Sequence, residues 1–333
     1  MKRIFSTTLF IIFFGLTNIA YAQTIPAQDN LQFIVTPEYP GPKEVVNIQI
    51  EDYTQNLNSL EISWFLDGKL QKKGVGDRKF QFTTGDLGSV SKISVSSSAF
   101  SKEMNIRPTG LDIVWQTKSY TPPFYKGKAL YTYQSLVDFV AMPSFMTSSG
   151  AMIDPKTLVY KWTRNGSVLG DSSGYGKNVF STSGGVLAKP LQVEVEASTI
   201  DGSMRAKKSI ELQGAQPEVF LYENHPLYGI LYNKAIGPQF DLKSKEISLS
   251  SAPYFFDVNR KDDPALTYNW SMNGKKLSNQ KNPDSLVLRK PDNTQSGSAL
   301  VGVNIQKIGR SLQFRDFSTK IRFEVSDENT PTI

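Results

Sequence analysis

The chain has 333 residues, a formal net charge of +6 at neutral pH, one histidine and no cysteine. The lack of thiols excludes cysteine nucleophiles, cysteine-ligated metals and disulfide bonds, so any folded unit depends on its hydrophobic core. The small positive charge is spread along the chain, which argues against a nucleic-acid-binding protein.

The N-terminus has the pattern of a secretory signal peptide. Two basic residues precede an apolar run over 9–16 and the small-residue pattern Ala-Tyr-Ala over 20–22, an order typical of such signals. The apolar run is shorter than the roughly 20 residues that span a bilayer. We therefore predict a cleaved signal peptide over 1–22, a flexible lead over 23–30, an exported mature chain and no transmembrane span in it.

Residues 31–108 alternate apolar and polar positions over short runs, with turn signals between the runs. One such run covers 46–50, and another contains Trp64 and ends in Asp-Gly at 67–68. Alternation of this kind indicates a half-buried β-strand, and Asp-Gly indicates a hairpin turn. No segment keeps a helical period, so the sequence predicts an all-β fold.

The strand around Trp64 occurs three times as Leu-x-(Ile/Tyr)-x-Trp-x-x-(Asp/Asn)-Gly, at 60–68, 158–166 and 266–274. The tryptophans are 98 and 108 residues apart, about the length of one β-sandwich domain. Because each alternates with other apolar residues, we interpret them as structural core residues rather than sugar-stacking platforms. These core residues are Trp64, Trp162 and Trp270.

In the second and third repeats, Asp-Pro precedes the tryptophan strand and Asn-Gly follows it. This motif is similar to PKD and related immunoglobulin-like modules of exported bacterial proteins. The resemblance covers residues 154–166 and 263–274 well and 60–68 more loosely. It implies modules that act as spacers, adhesive domains or assembly parts and that rarely catalyse reactions.

We therefore predict three tandem immunoglobulin-like (PKD-like) β-sandwich domains after the signal peptide. The third ends with alternating runs that include Leu-x-Phe at 312–314. Short linkers favour a rod-like array. The predicted ranges are 31–108, 111–213 and 217–326, followed by a disordered tail over 327–333.

Residues suited to catalysis or metal binding show no recognisable pattern. His225, the only histidine, precedes a proline in an aromatic stretch, and the chain has no Gly-x-Ser-x-Gly elbow. Three aspartates cluster over 257–263, but two basic residues lie among them and oppose a cation. We therefore predict no enzymatic activity, no catalytic or metal-binding residues and no cofactor.

Two aromatic stretches, 115–133 and 222–232, open the second and third domains. One interpretation is packing between domains, or an edge strand that changes sheets at its prolines. The other is an exposed patch that binds a protein or glycan partner, since Tyr and Trp dominate interface hot spots. Recurrence at equivalent positions favours packing. The candidate interface residues are Trp115, Tyr120, Phe124, Tyr125, His225, Leu227 and Tyr228.

The leading functional hypothesis is a non-enzymatic exported surface or periplasmic protein that acts as a spacer, adhesion or envelope-assembly module, with an envelope protein as partner. The alternative is a secreted carbohydrate-binding protein that uses the stretches 115–133 and 222–232 to bind a glycan. A secreted hydrolase with an unrecognised pair of acids is a third hypothesis.

Overall fold

The computed structural model describes three ranges of the chain: residues 30–278, 282–290 and 296–324. In these ranges the chain forms twenty-four β-strands and three single-turn 3-10 helices, so the predicted all-β class is confirmed. No helix in the described ranges is long and apolar enough to cross a membrane. The predicted signal peptide, the lead up to residue 29 and the predicted tail lie outside the described residues.

The first unit consists of two antiparallel sheets, with strand orders β1-β2-β5 and β4-β3-β6-β7. Every second side chain of each strand points to the facing sheet, and the enclosed cluster includes Val46, Ile48 and Trp64. A 3-10 turn covers Leu57–Ser59. The strands are β1 (Gln32–Thr36), β2 (Val45–Glu51), β3 (Glu61–Leu66), β4 (Lys69–Val75), β5 (Lys79–Thr83), β6 (Ser91–Ser96) and β7 (Ser101–Ile106).

The second unit repeats this layout. Its sheets have the orders β13-β9-β8 and β11-β10-β14-β15, and β12 also pairs with β10. Trp162 and Phe139 lie in the enclosed cluster, and 3-10 turns cover Pro155–Thr157 and Gly170–Ser172. The strands are β8 (Gly110–Thr117), β9 (Leu136–Ser144), β10 (Val159–Arg164), β11 (Ser167–Val168), β12 (Gly174–Tyr175), β13 (Val179–Ser183), β14 (Leu191–Ser198) and β15 (Arg205–Leu212).

The third unit has an additional hairpin at its start. Its sheets have the orders β17-β16-β19-β22 and β18-β24-β23-β20-β21. The chain changes sheets between β17 and β18, because β17 pairs with β16 in the first sheet and β18 pairs parallel with β24 in the second. The strands are β16 (Glu218–His225), β17 (Gly229–Ile236), β18 (Gln239–Leu242), β19 (Glu246–Tyr254), β20 (Leu266–Met272), β21 (Lys275–Lys276), β22 (Ser285–Arg289), β23 (Ser296–Lys307) and β24 (Phe314–Glu324).

Each unit encloses a hydrophobic cluster between two sheets, which is the arrangement of immunoglobulin-like β-sandwiches in tandem. The described segments between the units are short, since β7 and β8 are separated by residues 107–109 and β15 and β16 by residues 213–217. The division into three independently folding domains stays a prediction.

The repeated tryptophans occupy the same place in each unit. Trp64, Trp162 and Trp270 are at most 1% exposed. Each indole Nε1 donates a hydrogen bond to a backbone carbonyl oxygen of the facing sheet's approach, two residues before β5, β13 or β22 begins. The ring is therefore buried without an unsatisfied donor. The acceptors are the carbonyl oxygens of Asp77, Lys177 and Pro283, at 2.8, 2.9 and 2.8 Å.

The Asp-Gly and Asn-Gly pairs turn the chain with both residues at positive φ. In the second unit φ is 47° at Asn165 and 81° at Gly166, as a two-residue hairpin with a type I′ turn requires. The asparagine also binds β14, because its amide donates to the Gln192 carbonyl and its Oδ1 accepts from the Gln192 amide, both at 3.0 Å. The equivalent pairs are Asp67 with Lys92 and Asn273 with Leu300.

Candidate functional site

The first aromatic stretch leaves the second unit and packs against the third. After β8 the chain runs without a named strand over residues 118–135, the junction segment. Tyr120 of this segment is 9% exposed and belongs to the hydrophobic cluster of the third unit. Its amide donates to the Phe256 carbonyl at 2.8 Å, and the Phe255 amide donates to the Tyr120 carbonyl at 2.7 Å. These two bonds attach the junction segment to the end of β19.

Aromatic side chains form a continuous cluster where the junction segment meets the outer face of β16 and β19. Tyr125 packs edge-on against Tyr254 with ring centroids 6.0 Å apart, and Tyr254 packs against Phe220 at 5.1 Å. Burial raises the pKa of Tyr120 and of Tyr254, so both hydroxyls stay neutral. The members of this junction cluster are Tyr120, Tyr125, Phe220, Tyr222, Tyr232, Tyr254 and Phe255.

A buried polar network lies beside the aromatic cluster. Gln313 and Thr132 are both 0% exposed. The Gln313 Nε2 donates to Thr132 Oγ1 at 2.9 Å and to the Tyr133 carbonyl at 2.6 Å, and its Oε1 accepts from the Asp257 amide at 2.9 Å. The Thr132 hydroxyl donates to the Phe255 carbonyl at 2.7 Å. This junction network therefore satisfies polar groups of both units with each other.

The aspartates considered as a cation site are bonded within the chain. Asp257 accepts from the Leu136 amide at 3.1 Å and pairs with Lys307 at 2.5 Å. Asp263 Oδ1 accepts from the Ala265 amide at 2.9 Å, as a turn residue does. In the described ranges no group of three or more His, Cys, Asp or Glu residues could hold a metal ion.

The other candidate residues of the first stretch differ in exposure. Trp115 is half-buried against the cluster of the second unit, and the Lys128 ammonium lies 3.3 Å from its ring centroid. Tyr125 is 38% exposed and Phe124 is 90% exposed. Phe124 also has a φ of 67°, a left-handed conformation that is strained for a bulky residue. An exposed ring is thus held in a conformation that its own side chain disfavours.

The second aromatic stretch forms the hairpin of β16 and β17 rather than an irregular segment. His225 Nδ1 accepts from the amides of Leu227 and Tyr228 at 3.2 and 3.4 Å, and its ring stacks on Tyr228 with centroids 4.7 Å apart. Leu227 is 82% and Tyr228 is 77% exposed. The two stretches therefore fold differently although the sequence places them at equivalent positions, and His225 organises the hairpin tip.

Residues of the junction network were not among the candidates from sequence. In an alternating run such as Leu-x-Phe at 312–314, the middle residue, here Gln313, points to the side opposite the two apolar residues. The structure reverses this orientation, because Gln313 is buried, Phe314 is 46% exposed and β24 begins only at Phe314. Thr132 carries no motif, and neither does Gln134, whose Oε1 accepts a hydrogen bond from the Leu312 amide at 2.8 Å. Only the neighbouring aromatic residues point to this part of the chain.

A comparison with protein-family models gives no match, and neither does one with curated proteins. Similar solved structures include the three N-terminal domains of the bacteriophage RB49 Highly Immunogenic Outer Capsid protein, with 13% identity, coverage of 89% of this chain and 98% of that chain, and a TM-score of 0.25. The central fibronectin-III array of RIM-binding protein shows 14% identity, coverage of 89% and 96%, and a TM-score of 0.28. Immunoglobulin domains 1–5 of Sidekick-1 show 11% identity, coverage of 89% and 60%, and a TM-score of 0.21.

Proposed function

We propose that the chain is an exported surface or periplasmic protein without catalytic activity, which acts as a spacer, adhesion or envelope-assembly module. Export is supported by the basic, apolar and small-residue order of the first 22 residues. The proposed domain organisation is three immunoglobulin-like, PKD-like domains. It is supported by the repeated tryptophan geometry and by the three enclosed clusters.

The observation that carries this proposal is the junction between the second and third units. Domains within one chain move relative to one another unless their interface is extensive and well packed. Here Tyr120 lies in the core of the next unit, and Gln313 donates a buried hydrogen bond to Thr132 across the junction. A fixed angle between modules is what a spacer or an assembly part requires.

A contact with a partner needs exposed side chains, and Phe124 is the strongest candidate in the junction segment. It is 90% exposed at positive φ, and backbone strain of this kind concentrates at functional sites. Leu227 and Tyr228 at the hairpin tip form a second candidate contact. We infer that an envelope protein binds one or both of these positions.

The test is affinity capture from cell-envelope extract by the mature chain, residues 23–333. Phe124→Asn removes the ring while asparagine tolerates the left-handed backbone, so the variant stays folded. We expect at least about tenfold less of a defined envelope protein to be captured, as for loss of a hot-spot side chain. Tyr53→Asn is the matched control, because Tyr53 is an 84% exposed aromatic residue of the first unit.

Equal capture by Phe124→Asn and by the unchanged chain would exclude Phe124 as the contact. A combined Leu227→Ser and Tyr228→Ser variant then tests the hairpin tip in the same way. Loss of capture in Tyr53→Asn as well would indicate nonspecific adsorption rather than a partner site.

The carbohydrate-binding hypothesis based on the two aromatic stretches receives less support. Tyr120 and Tyr222 are at most 9% exposed, and Tyr125 packs edge-on against Tyr254 in the junction cluster. A sugar-binding platform requires exposed aromatic faces, and in these stretches Phe124 and Tyr228 are the rings with more than three-quarters of their surface exposed. Retention of the chain on neutral polysaccharide, lost in Phe124→Asn, would restore this hypothesis.

A further inference from the structure

The outer face of the sheet β1-β2-β5 in the first unit forms a shallow groove of about 660 Å³, which is within the usual size range of ligand sites. Strand register arranges its floor in two rows of three side chains, with neighbouring strands about 4.8 Å apart. The rows are Ile34, Gln49 and Lys79, then Thr36, Asn47 and Gln81.

One wall of the groove comes from the opposite sheet. Gln71 and Lys72 of the edge strand β4 line it beside β5. The Lys72 ammonium donates to the Lys79 carbonyl at 3.3 Å and pairs with Asp77 at 3.0 Å. These contacts hold the Lys72 ammonium beside the backbone of Lys79, and both lysines line the groove.

The lining has the polar groups that recognise hydroxyls and anions. Four carboxamides, those of Asn47, Gln49, Gln71 and Gln81, line the groove, and each has a carbonyl acceptor and an NH₂ donor. One N–H of Gln49 is bonded to Glu51 and one of Gln71 to the Lys69 carbonyl, which leaves each a second N–H. A sugar hydroxyl is likewise both donor and acceptor, so amides match it in either role. No carboxylate lines the groove, while two lysines do. A neutral sugar has no group for these lysines, whereas an acidic sugar does.

The surroundings of the groove are positively charged, like the two lysines that line it. Residues 69–79 contain five lysines and arginines against one carboxylate, which is a large part of the excess positive charge of the whole chain. Asp77 neutralises Lys72 in part, and Glu61 pairs with Lys73 at 2.9 Å. The remaining positive potential attracts a polyanion towards this edge of the first unit.

The same face differs in the other two units, so its polarity is not a general property of the fold. In the second unit the register places Val114, Val140 and Val179 in one row across β8, β9 and β13. In the third unit the aromatic junction cluster covers this face, with Phe220 and Tyr254 packed together. The next row of the second unit is Gln116, Asp138 and Ser181, so a carboxylate lies on this face there, whereas the face of the first unit combines four amides and two lysines without a carboxylate.

We propose that this groove binds an acidic polysaccharide, with the carboxamides bonded to sugar hydroxyls and Lys72 and Lys79 paired with carboxylate or sulfate groups. The site goes beyond the proposed function, because a spacer or protein-binding module needs no glycan. It also differs from the glycan hypothesis for the aromatic stretches, since it lies on another unit and contains no exposed aromatic ring.

Titration calorimetry of the mature chain tests the site with polygalacturonate fragments and with dextran sulfate. The fully methyl-esterified fragments and unmodified dextran have the same backbones without the charge. We expect binding to at least one charged polymer, at least about tenfold weaker or undetectable binding to its neutral counterpart, and weaker binding as salt concentration rises.

Variants locate the binding. We expect Lys72→Gln with Lys79→Gln, and separately Asn47→Ala with Gln81→Ala, each to weaken binding about tenfold or more. Lys207→Gln with Lys208→Gln makes the same charge change on exposed positions of β15 and should leave affinity within about twofold. Unchanged melting temperatures exclude unfolding as the cause.

Three results would overturn the proposed polysaccharide site. They are no binding to either charged polymer, equal affinity for the charged and neutral polymers, or weakening of binding by the β15 control variant as large as that by the groove variants. Capture of an envelope protein through Phe124 does not depend on any of them. Failure of the groove and failure of the proposed function are therefore distinguishable.

Discussion

Trp162→Ala is expected to lower the free energy of unfolding of the second unit by about 3–5 kcal/mol, as for a large core aromatic residue. Trp162 is 0% exposed, and its ring lies 5.5 Å from that of Phe180. The substitution opens a cavity and also removes the indole donor of the Lys177 carbonyl. Both effects act in the same direction. Chemical denaturation followed by circular dichroism measures the loss.

Trp115→Ala is the matched control for this substitution. Trp115 is half-buried, and one face of its ring is covered by Lys128 rather than by the core, so we expect a smaller loss, on the order of 1 kcal/mol. Equal denaturation midpoints for Trp162→Ala and the unchanged chain would mean that Trp162 is not a core residue in solution.

The sequence predicts the parts of the fold that depend on near neighbours. Alternation along 158–162 directs Tyr160 and Trp162 to the same side, and both are at most 1% exposed. Asn-Gly at 165–166 predicts a tight hairpin because both residues tolerate positive φ, and both have it. Strand identity, facing direction and turn type follow from periods of two residues and from local conformational preferences.

The junction depends on contacts that no local pattern encodes. Gln313 and Thr132 bond across 181 sequence positions, and their burial is acceptable because each finds partners far away in the sequence, among them the Tyr133 and Phe255 carbonyls. The alternation of apolar residues therefore gives no sign that Gln313 is buried. The same holds for Tyr120, since the pattern shows an apolar side chain but not that it joins the core of the next unit.

Proline positions explain why the two aromatic stretches fold differently. Pro122 and Pro123 lie inside the junction segment and have no amide hydrogen to donate to a sheet. Pro226 instead lies between β16 and β17, where no ladder bond is required. The flanks of the second stretch can therefore pair as a hairpin, and the first stretch remains irregular. The number of aromatic residues alone does not distinguish the irregular first stretch from the hairpin of the second.

Gln313→Ala is expected to loosen the junction between the second and third units. It leaves Thr132 Oγ1, the Tyr133 carbonyl and the Asp257 amide without their Gln313 partner in a buried site. An unsatisfied buried group costs about 1–3 kcal/mol, so we expect the free energy that stabilises the junction to fall by at least that amount. Water that enters to satisfy these groups separates the junction segment from the third unit.

Distances between spin labels measure this loosening directly. The chain has no cysteine, so Tyr175→Cys in the second unit and Val287→Cys in the third, at 59% and 55% exposed positions, provide two unique labelling sites. We expect one narrow distance distribution for the labelled parent and a broader one after Gln313→Ala. Gln216→Ala is the control, because exposed Gln216 accepts from Arg315 at 3.1 Å at the same junction.

A narrow, unchanged distribution after Gln313→Ala would show that the polar network does not set the angle between the units. Tyr120→Ala then separates the remaining contribution, since it removes a ring from the core of the third unit and leaves the junction network in place. If both substitutions broaden the distribution and the combined variant broadens it further, polar and aromatic contacts hold the angle together. In that case the two units act as one rigid module, and a partner that binds Phe124 is presented at a fixed orientation to the third unit.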